Sequence, residues 1–419
     1  MSRRQNRSSP RQSDLVGTRA VVELGEVAHG GHCVARMPDG RVVFVRHGLP
    51  GEQVELQVTE GGSDSRFLRA DAVDVLRAAP GRREAPCPYS GPGGCGGCDF
   101  QHATPETQLE LKQHVLTDQL RRLGGYSGPV EMRRLESAGP AGLRWRTRVE
   151  FTLGPEGVPG LRRHRSHEVI AVDDCLIATE GVVGAAGLGR PRDPGVRGVD
   201  VVDPSVGEPV AVELGQRGRV LGDEPVIREQ TVSPQGEPLG VSLGARGFWQ
   251  AHPAAVATYV QHVLNELEPR PGERVWDLFS GSGAFTVPLA LAVGDTGQVL
   301  AVEGHEPAVD ACAAALEEHA PGTVADLVVG DVAETLGRWE GGADLVVLDP
   351  PRTGAGRAVM EAVAGSGASR VAYVACDPAA LGRDLGHAAE LGLEVERVVG
   401  FDAFGTTHHL EAIATLRRR

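Results

Sequence analysis

The stretch Val275-Trp276-Asp277-Leu278-Phe279-Ser280-Gly281-Ser282-Gly283 decides the architecture. A short apolar run that stops in small and polar residues reads as a buried parallel strand, its end delivered to a crevice. Three further runs have the same form. Residues 299–302 stop at Glu303, 345–348 at Asp349-Pro350-Pro351-Arg352, and 371–375 at Cys376-Asp377-Pro378. Alanine-rich helical segments follow the first two runs, at 284–293 and 307–319, and a helix at 251–267 precedes them. From residue 241 this alternation specifies a doubly wound α/β domain, closed by strands at 394–401 and 410–416. Ligands bind such sheets outside the carboxyl ends of the strands. A nucleotide-type pocket and a thiol are therefore expected to share one crevice.

Gly281 and Gly283 remove side-chain bulk where backbone must approach a ligand, and Glu303, about 20 residues on, is placed to accept hydrogen bonds from ribose hydroxyls. The third glycine of a dinucleotide fingerprint is missing, because Phe285 and Thr286 occupy that stretch. Asp277 would also repel a pyrophosphate. A nucleoside bearing a cationic sulfur, S-adenosylmethionine, fits better, with Asp331 facing its adenine. Cys376 ends its strand where Asp377 and Pro378 break it, which exposes the thiol. Two prolines fix the turn after Asp349. Glu411 opens the last strand and reaches the same edge if that strand runs antiparallel. A thiol, a carboxylate and a methyl donor together suit methylation at carbon 5 of uracil, a poor nucleophile until a thiolate has added at carbon 6.

Upstream, residues 14–76 carry short alternating runs and an Asp39-Gly40 hairpin signal, which suggests a small β-barrel of the oligonucleotide-binding sort. Residues 1–13, rich in Arg and Ser, read as a disordered tail. Residues 77–240 form a β-rich middle region with a helix at 104–123, capped by Thr104 and stopped by Gly124-Gly125. Arg144, Arg146 and Arg148 alternate along a strand-like run, which would put all three on one face. The net charge is −14, yet nearly all the positive charge is guanidinium, since Lys112 is the only lysine. The N-terminus has no secretory signal, and no apolar run is long enough to span a bilayer. The expected setting is the cytoplasm, and the expected state a monomer with no protein partner to be inferred.

Seven cysteines without an export signal argue against a disulfide framework. Cys87, Cys95 and Cys98 cluster in a loop containing Gly93, Gly94, Gly96 and Gly97, and Cys175 is the best candidate for a fourth ligand. On count alone, four cysteines suit zinc or a [4Fe-4S] cluster equally.

Taken together, these motifs resemble the RNA uridine-5-methyltransferases that act on transfer or ribosomal RNA. The resemblance extends from residue 14 almost to the end. It rests on the 277–285 loop, the Asp-Pro-Pro-Arg turn, Cys376-Asp377-Pro378, His409-Leu410-Glu411 and Phe248-Trp249-Gln250. It implies that Gln250, Phe279, Glu303 and Asp349 bind S-adenosylmethionine, that Cys376 is the nucleophile and that Glu411 is the base. It also implies that residues 14–76 are a TRAM barrel and that Cys87, Cys95, Cys98 and Cys175 hold a [4Fe-4S] cluster in preference to zinc. Two positions depart from the family pattern: Ala284 and His252 stand where asparagine is common. Two rivals stay open, a methyltransferase for another substrate and a non-catalytic iron–sulfur RNA-binding protein.

Overall fold

The computed structural model describes residues 14–418, so the expected tail at 1–13 lies outside the described residues. Six strands come first: β1 (Arg19–Glu23), β2 (Val27–Ala28), β3 (His32–Arg36), β4 (Val42–Arg46), β5 (Gln53–Glu60) and β6 (Phe67–Arg77). They form one sheet in the order β1-β5-β6-β4-β3-β2, curled around a core of Val22, Val43, Val54, Leu56 and Leu68. Helix α1 (Pro105–Gly124) follows the cysteine loop. Its cap is the one the sequence specifies: Thr104 accepts from the Thr107 amide, and Gly125 adopts φ 66°. Next come β7 (Val130–Arg134), β8 (Arg148–Leu153), β9 (Pro159–Arg162), β10 (Val169–Ala171), α2 (Glu180–Ala186), β11 (Gly198–Val202) and β12 (Val210–Leu214). All the strands among these except β7 make a second, antiparallel sheet, and a hairpin of β13 (Val226–Val232) and β14 (Pro238–Gly244) follows.

The remaining elements are α3 (Ala255–Leu267), β15 (Arg274–Leu278), α4 (Thr286–Val293), β16 (Gln298–Glu303), α5 (Glu306–His319), β17 (Val324–Val329), α6 (Val332–Leu336), β18 (Leu345–Leu348), α7 (Gly356–Gly365), β19 (Arg370–Ala375), α8 (Pro378–Glu390), β20 (Leu393–Asp402) and β21 (Glu411–Arg418). Their sheet has eight strands in the order β17-β16-β15-β18-β19-β21-β20-β7. Only β21 runs antiparallel to its neighbours. Successive residues of β18 alternate between two cores, Leu345 and Val347 on one face and Val346 and Leu348 on the other. That two-sided burial is why the run is apolar without interruption. The eighth strand, β7, comes from far upstream, and α1 packs beside α8, so the 105–134 segment is built into this sheet.

The three arginines at 144, 146 and 148 do not share a strand face, contrary to expectation. Strand β8 begins only at Arg148, and Arg144 has left-handed backbone at φ 56°. Arg144 is bound bidentately to Asp174, at 2.8 and 2.6 Å, and Arg148 donates to Glu229 at 2.5 Å. Both are structural ties.

Candidate active site

Four parallel strand ends arrive in phase. Leu278 pairs with Val302 and Leu348, and Leu348 with Tyr373. Glu303, Asp349 and Cys376 therefore leave the sheet along one edge, beside the 279–283 loop. In the antiparallel partner, Ala412 pairs with Ala375, so one step further puts Cys376 beside Glu411. Such cross-strand neighbours lie about 4.5–5.5 Å apart at Cα. The thiol and carboxylate expected to cooperate thus meet because β21 is reversed.

The loop after β15 holds two unusual conformations. Phe279 sits at φ 62°, a strained position for a bulky residue, and Gly281 at φ 54°. The Gly281 amide donates to Glu303 Oε2 at 3.1 Å, and the His305 amide donates to Oε1 at 2.8 Å, so the carboxylate shapes the loop itself. A side chain added at Gly281 would meet open space, which leaves room for a ligand. At Gly283 a Cβ would come within 2.8 Å of Cys312 Sγ. Gly283 is therefore required for packing of the loop on α5, and this also accounts for the buried Cys312. Asp331 is exposed, and its Oδ1 caps α6 by accepting from the Glu334 amide at 2.9 Å.

Charge is concentrated at this edge. Asp277 is fully buried, accepts from the Thr286 hydroxyl at 2.5 Å, and is pushed up to about 7 by burial. Asp349 is pushed to about 7 by burial and by Asp277. Glu411 is buried with Oε1 unpartnered, and burial together with Asp349 raises it well above the carboxylate range. Burial, then Glu411 and Asp349, drive the half-buried Cys376 thiol up to about 12. Arg352 is not among the expected site residues, although it stands in the Asp-Pro-Pro-Arg turn; it opposes these shifts in Cys376 and Glu411. The acids cannot all ionise together unless positive charge enters.

Gln250 lines a cleft of about 570 Å³ that also contains Arg144, Glu229 and His252, and among the described residues no hydrogen bond ties it to the glycine loop. The departure at His252 is structural: the buried ring stacks on Trp145 at 6.3 Å, and the Trp145 indole donates to Gly405 O at 3.1 Å.

The four clustered cysteines do converge. Cys87, Cys95, Cys98 and Cys175 line one cavity of about 330 Å³. Among the described residues, no three His, Cys, Asp or Glu side chains sit at single-ion coordination distance. Cys98 Sγ accepts from the Gln101 amide and the Thr406 hydroxyl, each at 3.4 Å, and Cys95 Sγ from the Gly97 amide at 3.4 Å. Burial pushes the Cys98 thiol up to about 12.

The chain is 32% identical to the 23S rRNA (uracil(1939)-C(5))-methyltransferase RlmD of Chromohalobacter salexigens, covering 99% of this chain and 92% of that one. The tRNA (Uracil-5-)-methyltransferase profile matches residues 336–419. The chain belongs to the RNA (uracil-5-)methyltransferase family. The TRAM profile matches residues 14–73 of this uracil-5-methyltransferase. An uncharacterized RNA methyltransferase of Streptomyces coelicolor is 43% identical, over 96% of this chain and 93% of its own. The Pyrococcus abyssi tRNA (uracil-54, C5)-methyltransferase, solved in complex with S-adenosyl-L-homocysteine, shares the fold at a TM-score of 0.67. Its identity is 19%, with coverage of 95% and 100%.

No sequence pattern foretells how the barrel and the cysteine loop of this uracil-5-methyltransferase meet the edge that carries Cys376 and Glu411. His29 Nε2 lies 3.2 Å from Asp377 Oδ2, and Asp377 Oδ1 caps α8 through the Ala380 amide at 2.8 Å. Asp99 and Phe100 amides donate to Thr406 O at 3.0 and 2.8 Å, and the His408 ring bonds Asp99 at 2.5 Å. The segment leading into Glu411 is thus clamped by residues some 300 positions away. No helix among the described residues is long and apolar enough to cross a membrane.

Proposed function

We propose that this protein transfers a methyl group from S-adenosylmethionine to carbon 5 of a uridine in RNA, through a covalent bond between Cys376 and carbon 6 of the base. The single observation that carries this reading is the register of β19 and β21: Ala375 pairs with Ala412, one step short of Cys376 and Glu411, at the edge that also bears Asp349 and Glu303. The relatives point the same way. One acts on ribosomal RNA and the structural neighbour on transfer RNA. The sequence relationship favours ribosomal RNA.

S-adenosylmethionine supplies an electrophilic methyl on a cationic sulfur. Glu303, Gly281, Phe279 and Asp349 are the residues proposed to hold it, with Gln250 and Asp331 at the margins and Gly283 supporting the loop. Positive charge arriving beside Asp349 relieves the crowding of acids and brings the Cys376 thiol and Glu411 toward their ionised forms. The Cys376 thiolate adds to carbon 6 of the uracil, and carbon 5, now electron-rich, bonds to the methyl carbon as the methyl–sulfur bond breaks and leaves a neutral thioether. Glu411 then takes the proton from carbon 5, and the electrons of that bond restore the double bond as the sulfur–carbon bond breaks. A uridine held within a folded RNA must leave its stack to reach this edge.

For the cysteine cavity we propose a [4Fe-4S] cluster on Cys87, Cys95, Cys98 and Cys175. Four thiols around about 330 Å³ suit a group in which each sulfur binds a different iron. Zinc, at about 2.3 Å per sulfur, would draw the sulfurs together around one point. The donors onto Cys95 and Cys98 are of the kind that tune cluster thiolates.

The test is incubation of the enzyme with RNA carrying 5-fluorouridine and S-adenosylmethionine. Fluorine cannot leave as a proton, so a complex stable to denaturation and absent in Cys376→Ala is expected. Methylation without any such complex would defeat the covalent reading.

A further inference from the structure

We propose that Tyr373 and Asp384 are positioning residues that lock the Asp349-Pro350-Pro351-Arg352 turn, and with it the guanidinium of Arg352, beside Cys376. This deepens the methyltransferase reading and rests on it for the role of Cys376. The sheet anchors the turn at one end only, where the Asp349 amide donates to Leu278 O at 3.1 Å. The two prolines that follow have no amide hydrogen to give. Beyond them the Gly354 amide donates to Pro351 O at 2.8 Å, and the chain enters α7. Arg352 is exposed and, among the described residues, has neither a hydrogen bond nor an ion pair of its own. Where its charge sits therefore depends on the backbone that carries it. That charge acts on the edge: it favours the ionised forms of Cys376 and Glu411 and opposes protonation of His409.

Helix α7 starts at Ala355, whose side chain cannot cap it. The cap comes from α8 instead. Asp384 is buried, and its Oδ2 accepts from the Ala355 amide at 2.8 Å and the Gly356 amide at 3.3 Å. The same oxygen accepts from the Tyr373 hydroxyl at 2.6 Å, while the Tyr373 oxygen accepts from the Ala355 amide at 3.1 Å. Burial first, then Asp384, holds the Tyr373 phenol well above its usual range, so it stays a donor. Asp384 forms no ion pair among the described residues. Its charge is served by these donors and by the N-terminal end of α7. The fit leaves no slack: Gly354 sits at φ 89°, and a Cβ there would lie 2.6 Å from Asp384 Oδ2 and 3.3 Å from Ala380 Cβ.

A helix cap by itself needs only a serine, threonine, asparagine or aspartate at position 355. The arrangement found here joins three elements at one oxygen. Tyr373 comes from β19, the strand that ends at Cys376 and pairs Tyr373 with Leu348. Asp384 comes from α8, which begins directly after Cys376 and is capped by Asp377. The third element is the far end of the turn that bears Arg352. Tyr373 packs in the core shared with Val359, Met360, Leu381 and Leu385, whereas Val374 faces the opposite core. The lock therefore lies behind the sheet and makes no hydrogen bond to Cys376, Asp349 or Glu411. It can act on the thiol only by fixing the turn.

The experiment follows alkylation of Cys376 by iodoacetamide in the full-length enzyme at one fixed pH, read on the peptide that bears it. The variants are Asp384→Asn, Tyr373→Phe and Arg352→Gln, together with the first two on the Arg352→Gln background. Loss of the nearby cation lowers the thiolate fraction, so Arg352→Gln should slow alkylation by about threefold. Asp384→Asn should slow it about as much, and Tyr373→Phe by about twofold. On the Arg352→Gln background neither should slow it further, because residues acting through one another are not additive. In turnover, Asp384→Asn should lower kcat by about tenfold and leave KM for RNA within about twofold. A lowered melting temperature with alkylation unchanged in both Asp384→Asn and Tyr373→Phe would make the pair a plain helix cap and overturn the proposal. Full additivity with Arg352→Gln would overturn it too. If Asp384→Asn does not fold, Tyr373→Phe, which removes a single oxygen, decides alone. Alkylation needs neither RNA nor methyl transfer, whereas the 5-fluorouridine adduct needs both partners, so the two failures are distinguishable.

Discussion

The thiol after β19 and the four thiols of the cysteine cavity are the same chemical group in opposite surroundings. Cys376 stands alone among acids, with Glu411 and Asp349 raising its pKa and a single arginine, Arg352, opposing them. The clustered cysteines face one another across an enclosed space, and three hydrogen bonds point at the sulfurs of Cys95 and Cys98. The first arrangement keeps a sulfur uncharged until a cation arrives, which suits a nucleophile that must both attack and depart. The second supplies several sulfurs to one central group and suits permanent ligation. What separates the two settings is the neighbours, since all five cysteines are half-buried.

The sharpest way to break this contrast is Cys376→Ala. We expect methyl transfer to fall by at least about 10⁴-fold, with RNA binding and iron content unchanged; a loss of iron would mean that Cys376 also supports the cysteine cavity. Glu411→Gln should lower kcat by about 10²–10⁴-fold and let the covalent RNA complex accumulate on ordinary uridine, as seen by denaturing gel. The same variant removes a like charge from beside Cys376. Alkylation of that thiol by iodoacetamide should therefore become faster at a given pH, against the loss of turnover.

The sign of the pH dependence follows from the raised pKa. In the free enzyme the thiolate is the minority form until about 12. Alkylation of Cys376 should therefore climb about tenfold per pH unit through 8–10 without a plateau. A plateau near pH 8 would show that the acidic neighbours do not act. Cys98→Ser probes the other site. On the proposed cluster, bound iron, by metal analysis, should fall from about four atoms per chain, and kcat should drop about tenfold, because Cys98 contacts Thr406 on the segment leading to Glu411. The smallest expected effect is that of His29→Ala. Its contact with Asp377 is partly exposed and worth about 0.2–1 kcal/mol, so a change in kcat/KM of no more than about fivefold should follow.

The edge that gathers the strand ends is legible in the sequence because buried parallel strands leave a clear signature. Runs such as 345–348 are apolar on both faces and end where polar chemistry begins. Helix α1 is legible from its caps, down to the Thr104 hydroxyl. Contacts between distant segments are not. Nothing in Val130–Arg134 says that it will pair with β20, and Thr406 gives no sign that Asp99, Phe100 and Cys98 will close around it. Alternation misleads at Arg144 because a left-handed residue and the Asp174 pair override the local pattern. Gly283 reads as freedom to approach a ligand, whereas the constraint comes from its own φ of 90° and from Cys312 on α5. Patterns within one element can be read from a sequence. The partner that element meets depends on the whole chain.

Lys112 projects from α1 into the interior, is 1% exposed, and donates to Asp402 at 2.5 Å and to Phe404 O at 3.0 Å. It is also the sole lysine of the chain. The folded surface consequently offers no ε-amine to acylating reagents, crosslinkers or lysine-directed conjugation, whatever the enzyme encounters. Reaction at that one nitrogen would instead serve as a built-in marker that α1 has come away from the sheet.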